Sequence, residues 1–419
     1  MDEIRILGGR RLKGEVEISG SKNASLPILC ATLLTKDKFV IENVPTLLRD
    51  ITTMIAVLRN LGSKIEVNKS QVVIDNSEYK NIEAPYELVK TMRASVLVMG
   101  PILGRMGNVC VSFPGGCAIG SRPIDLHLKG LEKLGAKIKL SEGYVKLKAK
   151  RLVGSEIYLD FPSVGATENI MMAATLASGK TLINNAACEP EIVDLANFLN
   201  LMGAKIEGAG TKIIEIEGVF ELRGCNYAII PDRIEAGTFI MATAITKGDL
   251  LIKGANIDHL TSLIDKLQEA GVKVTKEEGK IRVKVEDKLK SINWIETAPY
   301  PSFPTDMQAQ MMALMATTRG VSCFIENVFE NRFMHVNELN RMGADIVVKG
   351  NLAMVKGVSN LYGAKVVATD LRASASLVLA GLVAKGETTI SRVYHLDRGY
   401  ERIEEKLRRL KARIERIKE

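Results

Sequence analysis

The sequence predicts an α/β (α+β) fold with six similar units, arranged as two domains of three units each. Two observations lead to this prediction. A motif made of a helix end, a glycine and a short alternating strand recurs six times, at intervals of about 70 residues. A second pattern, an apolar helix followed by a turn and a strand, lies between its copies. Each unit therefore contains strands and helices in alternation.

The first motif has the same layout in every copy. An amphipathic helix ends at a glycine or a lysine, where we expect the left-handed backbone that glycine adopts without strain. The copies are LRNLGSKIEV (58–67), LEKLGAKIKL (131–140), LNLMGAKIEG (199–208), LQEAGVKVTK (267–276), LNRMGADIVV (339–348) and LRRLKARIER (407–416).

The helices of the second pattern are almost entirely apolar, as in NIMMAATLASGKTLINNA (169–186) and GTFIMATAITKGDLLIKGA (237–255). Helices without a polar face are buried rather than half exposed. We therefore expect closed clusters with helices inside and sheets outside, and a cleft between two similar domains.

The composition restricts the function classes. Hydrophobic residues make up 46% of 419 residues, and no apolar run is long enough for a membrane span or a secretion signal, so we expect a cytoplasmic protein without membrane contact. The six cysteines and four histidines have no metal-ligand spacing, and we expect no metal and no cofactor.

The net charge of +8 admits two explanations, a nucleic-acid-binding protein or an enzyme for anionic small molecules. Aromatic residues, which stack on bases, are only 5% of the chain, and this disfavours a basic RNA-binding repeat protein. Part of the charge lies in KLRRLKARIERIKE (406–419), whose apolar spacing also fits an amphipathic closing helix.

Three segments carry candidate chemistry. In SGSKNASLP (19–27), small residues and Lys22 precede a helix, which suits an anion, although on this segment alone a capped helix with a solvated lysine is the better explanation. In PGGCAIGSRP (114–123), glycines surround Cys117, and Arg122 favours its thiolate, although a structural turn explains the segment equally well. In PYPSFPTDMQAQ (299–310), Asp306 at a helix start is either a helix cap or a general base.

Seven blocks occur in order along the chain: SGSKNA, MRAS, PGGC-IG-RP-DLH, FPTDMQAQ, ENRFMH, TDLRASASL and YH-DRGYERIE-KL. In these blocks the sequence resembles the enolpyruvyl transferases, and most closely the UDP-N-acetylglucosamine 1-carboxyvinyltransferase family. It is similar, more distantly, to the shikimate-pathway enolpyruvyl transferases, which remain the alternative enzyme. Because those lack the PGGC-IG-RP loop, Cys117 argues against them.

The resemblance implies an inside-out (inverse) α/β barrel fold with six βαβαββ repeats, three per domain. It implies one domain over 22–230, carrying the Cys117 loop. It implies a second domain over 1–21 plus 231–419, carrying Asp306 and Arg398, with the active site in the cleft between them.

The implied reaction is transfer of the enolpyruvyl group of phosphoenolpyruvate to the 3′-hydroxyl of UDP-N-acetylglucosamine, with release of phosphate. This addition–elimination passes through a tetrahedral phospho-ketal and opens peptidoglycan synthesis, on which cell shape and division depend. Partners are these two small molecules, without nucleic acid, and we expect a monomer.

The resemblance also implies the roles of individual residues. Cys117 would act as proton donor, covalent partner or in product release, and an epoxide phosphonate such as fosfomycin would alkylate it. Asp306 would take the hydroxyl proton. Lys22, Asn23, Arg122 and Arg398 would bind phosphoenolpyruvate, with Lys22 and Arg398 counted as catalytic. The implied nucleotide-sugar positions are Asn23, Arg93, Arg122, Pro123, Ile124, Asp125, Leu126, Ser163, Val164, Gly165, Thr305, Asp306 and Val328.

Two implied features are less well defined. Asp370 and Arg372 match a family pair on the hinge side of a domain. The family often carries a lysine two residues before the Ser163 equivalent, where this sequence has Phe161. A contact of that lysine with the uridine or diphosphate is therefore not expected here.

Overall fold

The computed structural model describes residues 2–84, 86–89, 92–113, 124–286 and 288–418. The described residues fall into two compact units. One, here called the central unit, contains residues 20–113 and 124–230. The other, the terminal unit, combines residues 2–19 with residues 231–418.

The strands are β1 (Glu3–Leu7), β2 (Lys13–Glu17), β3 (Lys38–Glu42), β4 (Lys64–Asn68), β5 (Gln71–Asp75), β6 (Glu83–Ala84), β7 (Asn108–Ser112), β8 (Lys137–Ser141), β9 (Tyr144–Lys148), β10 (Glu156–Tyr158), β11 (Lys180–Asn184), β12 (Lys205–Glu207), β13 (Ile213–Glu217), β14 (Asn226–Ala228), β15 (Asp249–Lys253), β16 (Lys273–Glu277), β17 (Lys280–Lys284), β18 (Trp294–Thr297), β19 (Val321–Glu326), β20 (Asp345–Lys349), β21 (Leu352–Lys356), β22 (Lys365–Val367), β23 (Glu387–Ser391) and β24 (Arg413–Ile417).

The α-helices are α1 (Lys22–Ala31), α2 (Arg49–Leu61), α3 (Tyr86–Val89), α4 (Met99–Met106), α5 (Asp125–Lys133), α6 (Val164–Ala174), α7 (Pro190–Leu201), α8 (Arg233–Ile245), α9 (Thr261–Glu269), α10 (Thr305–Met315), α11 (Val336–Arg341), α12 (Leu371–Val383) and α13 (Ile403–Arg409). Short 3-10 helices cover Thr32–Leu34, Arg93–Val98, Ile257–Leu260 and Val393–Arg398.

Within the described residues, the strands form six four-stranded sheets, three in each unit. Those of the central unit have the orders β14-β3-β5-β4, β6-β7-β9-β8 and β10-β11-β13-β12, and those of the terminal unit β16-β17-β15-β2, β18-β19-β21-β20 and β22-β23-β1-β24. In each sheet one parallel pair adjoins two antiparallel pairs, as where β10 runs parallel to β11 with α6 between them in the chain. The predicted βαβαββ repeat is confirmed.

The helices lie inside each unit and the sheets outside. Every residue of α8 is buried, whereas β9 and β21 alternate between buried positions and more exposed ones. Each unit has its own hydrophobic cluster. The prediction from the apolar helices is therefore confirmed, because only a helix surrounded by other elements can bury apolar residues on all its sides.

Helix ends have the predicted left-handed backbone. Gly135, which follows α5, has φ 97°, and Lys411, which follows α13, has φ 77°. The other four repeat positions, Gly62, Gly203, Gly271 and Gly343, also have positive φ. Such a residue ends the helix and turns the chain toward the next strand.

Of the two interpretations of KLRRLKARIERIKE, the single closing helix is wrong and the repeat's helix followed by a strand is confirmed. The helix α13 ends at Arg409, and β24 begins at Arg413 and pairs antiparallel with β1. The left-handed Lys411 stops the helix, and the alternation in RIERI places Ile414 inward. The repeat pattern determines this segment, rather than its helical spacing.

The part of the chain that the structure describes contains no helix of the length and apolarity that a membrane crossing requires.

Candidate active site

Asp306 lies in the first turn of α10, directly after a proline-rich segment. Its Oδ1 accepts a hydrogen bond from Nε of Arg372 at 2.9 Å and another from Nη2 of Arg332 at 3.0 Å. The arginine side chains are 5% and 3% exposed, whereas the Asp306 side chain is 30% exposed. A carboxylate that reaches solvent is thus held by two buried cations.

The arginines determine the charge state of Asp306. Burial alone would raise the pKa of this carboxyl, but Arg372, Arg332 and the nearby Arg233 outweigh burial and hold its pKa well below the usual range. The pKa of Arg372 is correspondingly raised by Asp306, against the effect of burial. Asp306 is therefore an anion at every physiological pH.

A second layer of side chains holds Arg372. Asp370 caps α12, accepting hydrogen bonds at Oδ1 from the backbone nitrogens of Arg372 at 2.7 Å and Ala373 at 3.1 Å. The Nη1 of Arg372 lies 3.4 Å from the hydroxyl oxygen of Tyr400, which is 2% exposed. The resemblance implied that Asp370 and Arg372 lie on the hinge side of a domain. Here Arg372 contacts Asp306 directly, and Asp370 holds the backbone of Arg372.

Glu326, at the end of β19, connects two predicted nucleotide-sugar positions. Its Oε2 accepts the hydroxyl of Thr305 at 2.9 Å, and its Oε1 accepts the backbone nitrogen of Val328 at 2.9 Å. The carboxylate also accepts the hydroxyl of Thr297 at 2.8 Å and is 3% exposed. Glu326 therefore fixes the start of α10 against the loop after β19.

In the central unit, Lys22 opens α1. The side chain of Ser21 caps this helix by accepting from the backbone nitrogen of Ala24 at 3.3 Å, and Asn23 is half-buried in the first turn. The Nζ of Lys22 lies 3.2 Å from Oδ2 of Asp50, and both side chains are buried. A buried ion pair, rather than a solvated lysine, therefore stands at the predicted anion site.

Three predicted nucleotide-sugar positions form the start of α6. The hydroxyl of Ser163 caps the helix, Val164 is its first residue, and Gly165 contacts the ring of His127. A Cβ added at Gly165 would lie 3.1 Å from Cε1 of His127, so a side chain there would displace the ring. Close packing against His127 therefore favours glycine at this position.

His127 and Asn169 join α6 to its neighbours. Nδ2 of Asn169 lies 3.0 Å from Nδ1 of His127 and donates to the carbonyl of Val96 at 2.9 Å, while its Oδ1 accepts from the backbone nitrogen of Gly100 at 2.6 Å. Burial, with Arg93 nearby, lowers the pKa of His127 to about 4, so the ring is neutral. Since the Asn169 nitrogen donates, Nδ1 of His127 accepts and the ring proton lies on Nε2.

The remaining predicted residues divide into two groups. Ile124 precedes α5, Asp125 and Leu126 form its first turn, Arg93 begins a 3-10 helix, and Arg398 ends another. Cys117, Arg122 and Pro123 lie outside the described residues. Phe161 is 43% exposed, in the place of the family lysine.

The sequence interpretation missed four residues that organise these positions: Asp50, His127, Asn169 and Glu326. Asp50, His127 and Asn169 lie far along the chain from their partners, and Glu326 lies 21 residues from Thr305 although only two from Val328. None belongs to a spacing motif, except that His127 ends the DLH block. Arg332 was detectable through the ENRFMH block. Within the described ranges, no cluster of three or more His, Cys, Asp or Glu side chains is arranged to hold a metal ion.

Comparison with known proteins assigns the chain to a family. The family EPSP synthase (3-phosphoshikimate 1-carboxyvinyltransferase) matches residues 6–407. Curated relatives named UDP-N-acetylglucosamine 1-carboxyvinyltransferase are 59% identical over 97% of both chains in Caldanaerobacter subterraneus and 58% identical over 100% of both chains in Carboxydothermus hydrogenoformans.

Solved structures agree on the fold. The enolpyruvyl transferase NikO from Streptomyces tendae is 26% identical, with a TM-score of 0.90 over 99% of this chain and 98% of its own. EPSP synthase from Acinetobacter baumannii, at 20% identity and a TM-score of 0.78 over 100% of both chains, supports the fold alone. The chain belongs to the enolpyruvyl transferase family, in its UDP-N-acetylglucosamine 1-carboxyvinyltransferase branch.

Proposed function

We propose that this protein transfers the enolpyruvyl group of phosphoenolpyruvate to the 3′-hydroxyl of UDP-N-acetylglucosamine and releases phosphate. The observation that carries this proposal is 58–59% identity over nearly the whole chain to relatives bearing that name. The family model is named for shikimate 3-phosphate, but the close relatives and the Cys117 block favour the nucleotide sugar.

The reaction is an addition followed by an elimination. A proton adds to C3 of phosphoenolpyruvate, which leaves positive charge at C2, and the sugar hydroxyl oxygen bonds to C2 while losing its proton. The tetrahedral adduct then loses a proton from C3, and the bond between C2 and the phosphate oxygen breaks. Both substrates are anions, so the site must supply cations as well as a proton donor and acceptor.

Asp306 has the properties of the proton acceptor. Both of its hydrogen bonds use Oδ1, and no described residue donates to Oδ2. A carboxylate with a lowered pKa is too weak a base for a free alcohol. It suffices once the oxygen has begun to bond to C2, because the attacking oxygen then becomes strongly acidic. Asp306 would thus take the proton only as attack proceeds.

The other roles come from the family motifs. Lys22, Arg122 and Arg398 would neutralise the phosphate and carboxylate of phosphoenolpyruvate, with Asn23 beside them. Arg93, residues 122–126 and residues 163–165, with Thr305, Asp306 and Val328, would hold the nucleotide sugar. Support comes from the packing of Gly165 on His127, next to Asp125 and Leu126, which brings two of these segments together.

Cys117 would donate the proton to C3. A thiol suits this task because its ordinary pKa lies near working pH.

A phosphate-release assay tests the function. We expect phosphate release from phosphoenolpyruvate with UDP-N-acetylglucosamine and none with shikimate 3-phosphate. Release with shikimate 3-phosphate alone would replace the proposal with the shikimate-pathway reaction, and release with neither would reject both.

Two substitutions test the assigned roles. Asp306→Ala should lower kcat by about 100-fold or more, as loss of a general base does, while calorimetry still detects nucleotide-sugar binding. Cys117→Ser should lose most activity, because a hydroxyl is a far weaker acid than a thiol. Normal turnover of either variant would refute the role given to that residue. Lys64→Ala, at an exposed ion pair on β4, is the control and should retain activity.

A further inference from the structure

The sheet β18-β19-β21-β20 carries an apolar outer face. Its central row, read across paired strands, is Trp294, Cys323, Met354 and Val347. Trp294 is 57% exposed, Met354 46% and Val347 58%. Ile325 and Leu352 continue the apolar surface in the adjacent row. A contiguous apolar patch of this size is often functional, and it makes this face a candidate contact surface.

The other five sheets provide internal controls, because the same repeat builds all six. In each of them the corresponding row contains at least one charged side chain. The row across β2, β15, β17 and β16, for example, is Glu15, Leu251, Arg282 and Thr275. Exposure of sheets to solvent therefore does not explain an apolar row, since this fold normally places charge there.

We propose that this face binds a second copy of the same chain about a twofold axis that lies between β19 and β21, parallel to the strands. Such an axis exchanges the two halves of the sheet. Trp294 of one copy then faces Val347 of the other, and Cys323 faces Met354. Large side chains oppose smaller ones in both pairs.

Charge at the edge of the patch agrees with the same axis. The row next to Trp294 runs Glu296, Ile325, Leu352 and Lys349. The rotation that pairs Trp294 with Val347 also places Glu296 opposite Lys349, and Ile325 opposite Leu352. Opposite charges therefore meet at both ends of this row, and like charges do not.

The area of the face indicates a reversible dimer. Four strands about 4.8 Å apart and about five residues long cover roughly 300 Å². Standard stable interfaces bury about 800 Å² on each partner. Side chains that project from the sheet add to this area, but the face stays smaller than a standard interface. We therefore expect a concentration-dependent equilibrium between monomer and dimer rather than an obligate dimer.

Sedimentation velocity over a wide concentration range tests the proposal. Trp294 is the only tryptophan, so its fluorescence reports directly on the patch. We expect the mass to rise from monomer toward dimer, with Trp294 emission moving to shorter wavelength. Met354→Lys should remain monomeric, whereas the control Val73→Lys, at the matching position on β5, should dimerise like the wild type. A wild type that stays monomeric, or equal effects of both lysines, would overturn the proposal.

A charge exchange distinguishes a second copy from any other partner. Glu296→Lys should weaken the dimer, because it places lysine opposite lysine in two places. Adding Lys349→Glu should restore it, since the pairs are then reversed but complementary. Circular dichroism checks that each variant is folded. If the double variant associates no better than Glu296→Lys alone, the twofold arrangement is wrong.

Discussion

The hydroxyl of Tyr400 has its hydrogen bonds fixed by its neighbours. The hydroxyl proton of Thr238 is donated to the carbonyl of Ile234 at 2.8 Å. Tyr400 must therefore donate to Thr238, 2.9 Å away, and its own oxygen accepts from Gln310 and Arg372. A chain of hydrogen bonds thus leads from the backbone of α8 through Tyr400 and Arg372 to Asp306.

Tyr400→Phe should reduce kcat/KM by about 5-fold, the effect of one net hydrogen bond of about 1 kcal/mol in the transition state. Without the hydroxyl, Arg372 loses an acceptor and is held less firmly against Asp306. The pKa of Asp306 then moves up toward its ordinary value. The acidic limb of the pH profile of kcat should therefore shift to higher pH, which steady-state kinetics measures.

Tyr79→Phe is the matched control. Tyr79 is 3% exposed in the central unit, and its hydroxyl has no hydrogen-bond partner among the described residues. The same atom is removed from an equally buried ring, but no bond to the site is lost. If both variants change the pH profile alike, Tyr400 has only a structural role.

Sequence motifs indicated the proposed catalytic residues better than the side chains that hold them. Asp306 follows from its place at a helix start and from the FPTDMQAQ block. Its contacts with Arg332 and Arg372 join residues that are 26 and 66 positions apart, and no local sequence pattern predicts contacts over such separations. The Lys22–Asp50 pair was missed for the same reason.

At the scale of single elements, the helix ends offer a reciprocal pair of substitutions. Lys411 has φ 77°, where five repeats have glycine, and Gly135 has φ 97° with no atom within 4 Å of an added Cβ. A left-handed backbone costs a residue with a Cβ about 1 kcal/mol. Lys411→Gly should therefore stabilise the terminal unit by about 1 kcal/mol, and Gly135→Ala should destabilise the central unit by a similar amount.

Urea unfolding of both variants measures these changes. Lys385→Gly is the control for Lys411→Gly: it also removes an exposed lysine, but from a position without positive φ. Stabilisation by Lys385→Gly would show that loss of charge, rather than backbone relief, is responsible. No effect of Gly135→Ala would contradict the strain argument.

Much of the element order followed from the repeat. Helix, glycine and strand alternate along the sequence, and an apolar helix can only be buried, so the layering was predictable. Periodicity did not reveal the second strand of each antiparallel pair, such as β21 after β20. Segments like LAMVK are too short to show a clear alternation of apolar and polar residues. The closing segment of α13 and β24 was ambiguous because its apolar spacing fits a helix as well as a strand.

For the molecule as a whole, buried ionisable groups determine how stability depends on pH. Burial lowers the pKa of His127 in the central unit and of His335 in the terminal unit to about 4. The charge of Arg93 adds to the lowering at His127 and that of Arg332 to the lowering at His335, where Asp370 acts in the opposite direction. The stability linked to these neutral rings is complete above pH 6.5. It is lost as pH falls toward 4, by about 3 kcal/mol for each ring.

The two units differ in the buried carboxyl groups whose raised pKa values offset this loss of stability at low pH. In the central unit, burial raises the pKa of Asp194 to about 6 and that of Glu168 well above its ordinary value. Carboxyls with raised pKa contribute stability at low pH and lose it as pH rises. In the terminal unit Glu235 gives a similar offset, but Asp306 gives none because its pKa is lowered.

We therefore expect the terminal unit to lose protection first on acidification from pH 7 to pH 4.5. Hydrogen exchange resolved by peptide, comparing α10 and α12 with α6 and α7, measures this. His335→Gln, which cannot gain a proton, should reduce the difference between the units. Simultaneous loss of protection in both units would contradict this assignment.

The pairing of β1 with β23 and β24 has a consequence for biosynthesis. β1 precedes β23 and β24 in the chain, so it cannot pair with them until they have been synthesised. β2 likewise cannot pair until β15 has been synthesised. While the ribosome is still synthesising the terminal unit, all strands of the central unit have already emerged. During translation we therefore expect a nascent chain in which the central unit is folded while β1 and β2 are still unpaired.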